Sequence, residues 1–273
     1  MFRKIWKQVH PSVCSIHFMS KAGTRITTFT GFKIMNYLIT DDVIDKFGIP
    51  DSVVLRFSME DGCSERASKN FSFKDFKKKI IRPGGNAAPG YVIICLEDPE
   101  FKDIPSLRCS RKINYDIGHP IAILGYQLEQ QNLAIKSGII SSFFTNSDGL
   151  KYIQIDCSIK QGNAGSPLID LETEEVVGVI GHRLAGIARS YKELMIIFNQ
   201  NLSVLNEVQG KFNYDDIDPV QVLIANQNQI KHIATEFYKT ANMGVGYAVD
   251  LCSLPDYCPD NESAMDLELK YEE

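Results

Sequence analysis

Gln161-Gly162-Asn163-Ala164-Gly165-Ser166-Pro167-Leu168 is the stretch that decides how the rest of the chain is read. It follows Tyr152-Ile153-Gln154-Ile155-Asp156 and precedes Glu175-Val176-Val177-Gly178-Val179-Ile180, so a Gly-rich turn stands between two strand-like runs. Two readings fit such an octapeptide. Glycine, asparagine and proline form hairpin turns between strands as a matter of course. The same glycines are also what a tight turn needs when its backbone N–H groups must converge on a single oxygen atom.

Composition bounds the choices before any motif is weighed. The chain has 273 residues, room for one large or two modest domains, and 44% of them are hydrophobic, enough for a globular core. A formal net charge of −5 and a pI near 5.6 oppose a phosphate-binding surface, so no nucleic acid partner is expected. The run Lys77-Lys78-Lys79 reads as a solvated face. The seven cysteines include no CxxC pair, and no His/Cys cluster has metal-ligand spacing, so neither a metal nor a cofactor is expected. Cys14, Cys95 and Cys157 lie in strand-like segments and read as buried free thiols, whereas Cys252 and Cys258 are close enough in sequence to pair. With no cleavable signal peptide in view, the cysteine usage points to a reducing, cytoplasmic setting. No apolar run approaches the roughly 20 residues that span a bilayer, so no membrane is expected.

Further strands flank the central turn on its N-terminal side. Phe2, Ile5, Trp6 and Val9 have helical spacing and predict a short packing helix; Pro11 ends it, and Ser12 to Phe18 reads as a strand. Thr27 to Ile34 and Tyr37 to Thr40 form two strands about a short turn at Met35-Asn36. Ser52 to Phe57 is another strand. Gly84 to Gly90 then leads into the apolar run Tyr91 to Leu96, and Pro99 and Pro105 mark a linker from Glu97 to Arg111. Ile117-Gly118-His119-Pro120-Ile121-Ala122-Ile123-Leu124-Gly125-Tyr126 and Lys136-Ser137-Gly138-Ile139-Ile140-Ser141-Ser142 begin a second set.

Taken together, these segments resemble the trypsin-like serine proteases, most closely the HtrA-like branch. In that family the central loop reads Gly-Asn-Ser-Gly-(Gly or Ser)-Pro-Leu, followed by an acidic turn and an apolar strand with an embedded Gly. The resemblance recurs at five separated places in the expected order from Val9 to Ile180. It implies an all-β, double antiparallel β-barrel of the chymotrypsin type. It also implies places for three catalytic groups, and here they hold other residues. Ala164 stands for the serine nucleophile. Val43 stands for the histidine base in Tyr37-Leu38-Ile39-Thr40-Asp41-Asp42-Val43. Gly90, counted back from Leu96, stands for the aspartate. Gly162 and Ala164 would keep an oxyanion-type turn, and Ser158 and Ser166 would lie in the cleft. Asp41 and Asp42, adjacent in sequence, read as caps of the following turn rather than as a carboxylate pair.

The expectation from this pattern is a protein that is not an enzyme. It would be a pseudoprotease binding another protein or a peptide segment as a scaffold or regulatory component. Folds of this kind with eroded triads occur in prokaryotic stress and defence systems, including CRISPR-associated antiviral ones, and the resemblance extends to that setting. Two alternatives stay open. One is an active serine endopeptidase with an engineered Ser→Ala change at position 164; the other moves the nucleophile to Ser166 or a cysteine.

The domain organisation expected is residues 1–105 for the N-terminal helix and first barrel, 106–252 for the second barrel, and 253–273 for an acidic tail. A closing strand is expected near Met243 to Val249, which leaves a helical insertion at about 191–241. Asp218 and Pro219 start one of its helices by cap and first-turn chemistry, and Leu223, Ile230, Ile233 and Phe237 fall on one side of it. Such a stripe ordinarily packs on its own domain.

Overall fold

The computed structural model describes residues 1–45, 50–82, 90–110, 115–127, 132–145, 149–181, 185–211, 218–240, 245–251 and 254. His182, Cys252, Cys258, the Gly84–Pro89 loop and the acidic tail lie outside these.

A helix α1 (Phe2–Val9) opens the chain, burying Ile5 and Val9. Trp6 of this helix donates its indole N–H to the carbonyl of Glu60, 3.0 Å away. Strands β1 (Val13–Met19), β2 (Arg25–Ile34), β3 (Tyr37–Asp41), β4 (Ser52–Ser58), β5 (Glu65–Ser72), β6 (Ile80–Ile81) and β7 (Tyr91–Cys95) follow, with a short helix α2 (Phe73–Lys78) after β5. They form one antiparallel sheet in the order β5-β4-β1-β2-β3-β7-β6. Its core is aromatic. Phe18 meets Phe29, Phe73 and Phe76 edge to face, and Phe57 packs on Phe101. The linker that carries Phe101 is fastened by Lys33, whose buried ammonium donates to the carbonyls of Phe101 and Ile104 at 3.0 and 2.7 Å.

The second half is a closed barrel. Strands β8 (Pro120–Tyr126), β9 (Leu133–Thr145), β10 (Lys151–Ile155), β11 (Pro167–Asp170), β12 (Val176–Ile180) and β13 (Gly246–Asp250) close in the order β10-β13-β12-β11-β8-β9. β-Branched residues fill it, Ile121 and Ile123, and Ile153 and Ile155, at alternating positions, with Val177 and Ile180 from β12. A third cluster ties sheet to barrel, bringing Val13, Phe32, Ile39 and Ile93 against Leu124, Tyr126 and Val249. The molecule is mostly β, with antiparallel sheets, a closed six-stranded barrel and helices in its C-terminal region, the trypsin-like fold.

Between β12 and β13 the chain makes two long helices, α3 (Ala185–Val208) and α4 (Pro219–Thr240). Residues 183–243 form a compact unit of their own. Asp218 accepts from the N–H of Val220 at 2.8 Å, so the cap before Pro219 works as its chemistry predicts. The apolar stripe on α4 differs from expectation. Leu223, Ile230, Ile233 and Phe237 are half exposed or more, because the inward seam of the helix is made by other residues.

Candidate functional site

The 161–166 turn leaves β10 and enters β11, and its shape is set by a threonine from the other half. Thr30 of β2, fully buried, donates its N–H to Ala164 O at 2.9 Å and its hydroxyl to Gly162 O at 2.7 Å. The same hydroxyl accepts from the N–H of Tyr126, and Thr40 Oγ1 donates to Thr30 O. Gly165 must be glycine here. Its φ is +85°, and a Cβ on it would stand 2.0 Å from Thr30 O and 2.2 Å from Thr40 Oγ1.

Asn163 braces the turn from within. Its amide donates to Tyr126 O at 2.8 Å, while its Oδ1 accepts from Lys160 N–H and from Lys136 Nζ at 2.7 Å. Lys136 also donates to Ser158 O at 2.8 Å, which ties the expected cleft residue Ser158 to the turn by its backbone. Burial lowers the pKa of the Lys136 amine, against an opposing pull from Cys157. Ser166, the other expected cleft residue, is fully buried, and its hydroxyl finds no hydrogen-bond partner among the described residues.

Five backbone N–H groups belong to residues 162–166. Asn163 donates to Lys160 O, Gly165 to Ile180 O and Ser166 to Asn163 O. Those of Gly162 and Ala164 have no acceptor among the described residues. Gly162 holds φ at +99°.

The three positions matched to catalytic groups flank one spot. Asp42 N–H donates to Gly90 O at 3.4 Å, and Val43 N–H donates to Asp41 Oδ1 at 2.7 Å, so Asp41 caps the short turn Asp42–Asp45 as its sequence position suggested. Asp41 N lies 3.1 Å from where a Cβ on Gly165 would stand. At position 90 the backbone has φ +82°, and a side chain would meet Val249 at 2.8 Å. Ala164 is buried, and its methyl joins the apolar cluster of the first sheet.

Three of the described histidines are engaged elsewhere, and His232 lies exposed on α4. His10 stacks on Trp6, His17 bonds Thr28, and His119 bonds Asp170 at 2.8 Å. Burial raises the thiol pKa of Cys14, Cys95 and Cys157, which keeps them protonated and poorly nucleophilic. Sequence reasoning found the turn but missed Thr30, Asn163 and Lys136 as its supports. Thr30 carried a signal, since it sits beside Gly31 in the strand pairing with β3; Lys136 carried none.

Residues 58–179 match the family model described as a trypsin-like peptidase domain. No curated protein sequence matches the chain. Among solved structures, the serine endoprotease from Yersinia pestis is 16% identical with a TM-score of 0.49, over 66% of this chain and 57% of that one. The Rv3671c protease from M. tuberculosis in its active form is 18% identical with a TM-score of 0.48, over 66% and 74%. This chain thus spans a little over half the length of the Yersinia protein.

The class that fold and matched domain define is the trypsin-like peptidase fold. The expectation that the chain is not an enzyme is corrected by the same finding. The domain matched is that of a peptidase, and it points to a serine protease. Three residue identities were too narrow a basis for the opposite reading.

Proposed function

We propose that the chain takes an extended polypeptide segment into the cleft beside the 162–166 turn, holding a backbone carbonyl on the N–H groups of Gly162 and Ala164. The observation that carries this reading is the pair of backbone N–H donors left over in a turn whose other three backbone N–H groups are used. A turn with two unpaired N–H donors, pinned by Thr30 and Asn163, costs little reorganisation when an oxygen arrives. The ligand is a protein or peptide. The net charge of −5 offers nothing to a phosphate backbone.

The test is a selection from a displayed peptide library, followed by titration of the best binder into isotope-labelled protein. The amide resonances of Gly162 and Ala164 should shift together and saturably. Failure to select a binder, or shifts confined to other surfaces, would remove the proposal. Mass spectrometry of the same mixture reports whether the bound peptide is cut.

The match to a peptidase domain favours a second reading of the same cleft, a serine endopeptidase in which Ala164 replaces the nucleophile. On this reading the Ala164→Ser protein labels stoichiometrically at position 164 with a fluorophosphonate probe. An unlabelled, folded variant would sink it.

A further inference from the structure

The two helices of the 183–243 unit meet along a regular seam. Met195, Phe198, Leu202, Leu205 and Val208 of α3 turn inward, as do Val220, Ile224, Gln227, Lys231 and Ala234 of α4, with spacings of three and four. Tyr191 stacks on Tyr238 at 4.1 Å, and Lys231 bonds Asn199, so the helices run antiparallel. That leaves a second apolar set exposed: Leu194, Ile197 and Val204 on α3, and Leu223, Ile230 and Ile233 on α4, each between 39% and 63% exposed.

Every one of these six directly precedes a seam residue. One step back along an α-helix is about 100° of rotation. Because the helices are antiparallel, the same turn in the chain direction brings both sets to the same side of the hairpin. That side of the hairpin is therefore largely apolar, with Asn201, Glu207 and Asn226 standing at the same step before the seam. The other side, one step after the seam, carries Asn199, Ser203, Asn206, Asn228 and His232, with Ile196 and Ala225 the apolar exceptions.

We propose that this face docks on the same face of a second copy of the chain, pairing two hairpins into a four-helix bundle. Area favours this occupant. The six side chains expose on the order of 100 Å² each, roughly 600 Å² together, against the ~800 Å² per partner of a stable interface before any polar rim is added. Charge favours it as well. None of the six is charged, and the two helices together carry Arg189, Lys192, Lys231 and Lys239 against Glu193, Glu207 and Glu236. The hairpins themselves therefore add little like-charge repulsion between two copies. A two-fold pairing is self-complementary, so each hairpin presents the same six apolar side chains to the other. A lipid surface would call for a cationic opposite face, and here that face is amide and hydroxyl.

The test is the mass of the full chain by light scattering at micromolar concentration. The expected mass is twice 30.7 kDa. Ile197→Glu with Ile233→Glu should return a monomer of unchanged circular dichroism, and Ser203→Glu with Asn228→Glu should leave the dimer intact. A monomeric native chain overturns the proposal, as does a dimer that survives the first pair, or binding to anionic vesicles through this face. Should the first pair fail to fold, lysine cross-linking of mixed isotope-labelled and unlabelled native chains decides. Mixed cross-links within α3 and α4 are expected, and their absence overturns it.

Discussion

Thr30 holds the turn by two hydrogen bonds and ties it to β8 by a third, from Tyr126 N–H, and Gly165 holds it by fitting where no Cβ can. Thr30→Val removes the hydroxyl but keeps the shape, leaving Gly162 O and Tyr126 N–H unpaired inside the protein. We expect a loss of about 1–3 kcal/mol in urea unfolding, with an unchanged m-value. The effect should concentrate at the turn, as faster hydrogen exchange at Gly165 and Ser166. His17 makes a separate prediction. Burial first, then the charges of Arg25 and Arg56, lower its pKa from 6.5 to about 4. The unfolded chain therefore takes up this proton at a pH where the folded one does not. Stability from this site is whole above pH 6.5 and falls by roughly 3 kcal/mol as pH drops to about 4. His17→Gln should flatten that part of the stability–pH curve, and a slope that persists would assign it to other groups. At this scale the sequence was only partly legible. The Gly-Asn-Ala-Gly-Ser turn announced itself by residue type, whereas Thr30 and Lys136 act across the fold and depend on packing that no local pattern records.

Among the elements, β9 and the loop from Ser158 to Asn163 are joined by one amine. Lys136→Met removes both of its hydrogen bonds, to Ser158 O and Asn163 Oδ1. We expect about tenfold weaker binding of a selected peptide, since the turn loses part of its preorganisation. The barrel's melting temperature should move little. Equal affinities would show that Asn163 is held well enough by Tyr126 and Lys160 alone. Strands were read from the sequence well where β-branched and aromatic residues alternate, as in β2, β8 and β12. Helix α4 was placed through Asp218-Pro219 and apolar spacing, and α3 only as part of a helical insertion. What the spacing did not disclose was which of two adjacent stripes forms the seam. Leu223, Ile230 and Ile233 and the residues after them have nearly the same period, and only the pairing of Tyr191 with Tyr238 selects one.

For the whole molecule, the placing of the hairpin is instructive. β12 and β13 are antiparallel neighbours, with Ile180 opposite Ala248, so the barrel needs only a short connection where the chain inserts 183–243. Replacing that stretch by a Gly/Asn turn should leave a folded barrel that still binds peptide and is monomeric. Loss of the barrel would show that the hairpin is part of its folding unit. The overall class was legible because sheet pairings recur in one order along the chain, a property of topology rather than of any single residue. Activity was not, because the chemistry of a cleft depends on all its polar groups and not on three aligned positions. The most direct test of the central reading is a crystal structure of the chain with a selected peptide. A peptide carbonyl oxygen within hydrogen-bond distance of both the Gly162 and Ala164 N–H groups is predicted; a peptide bound with those two donors facing no carbonyl would contradict it.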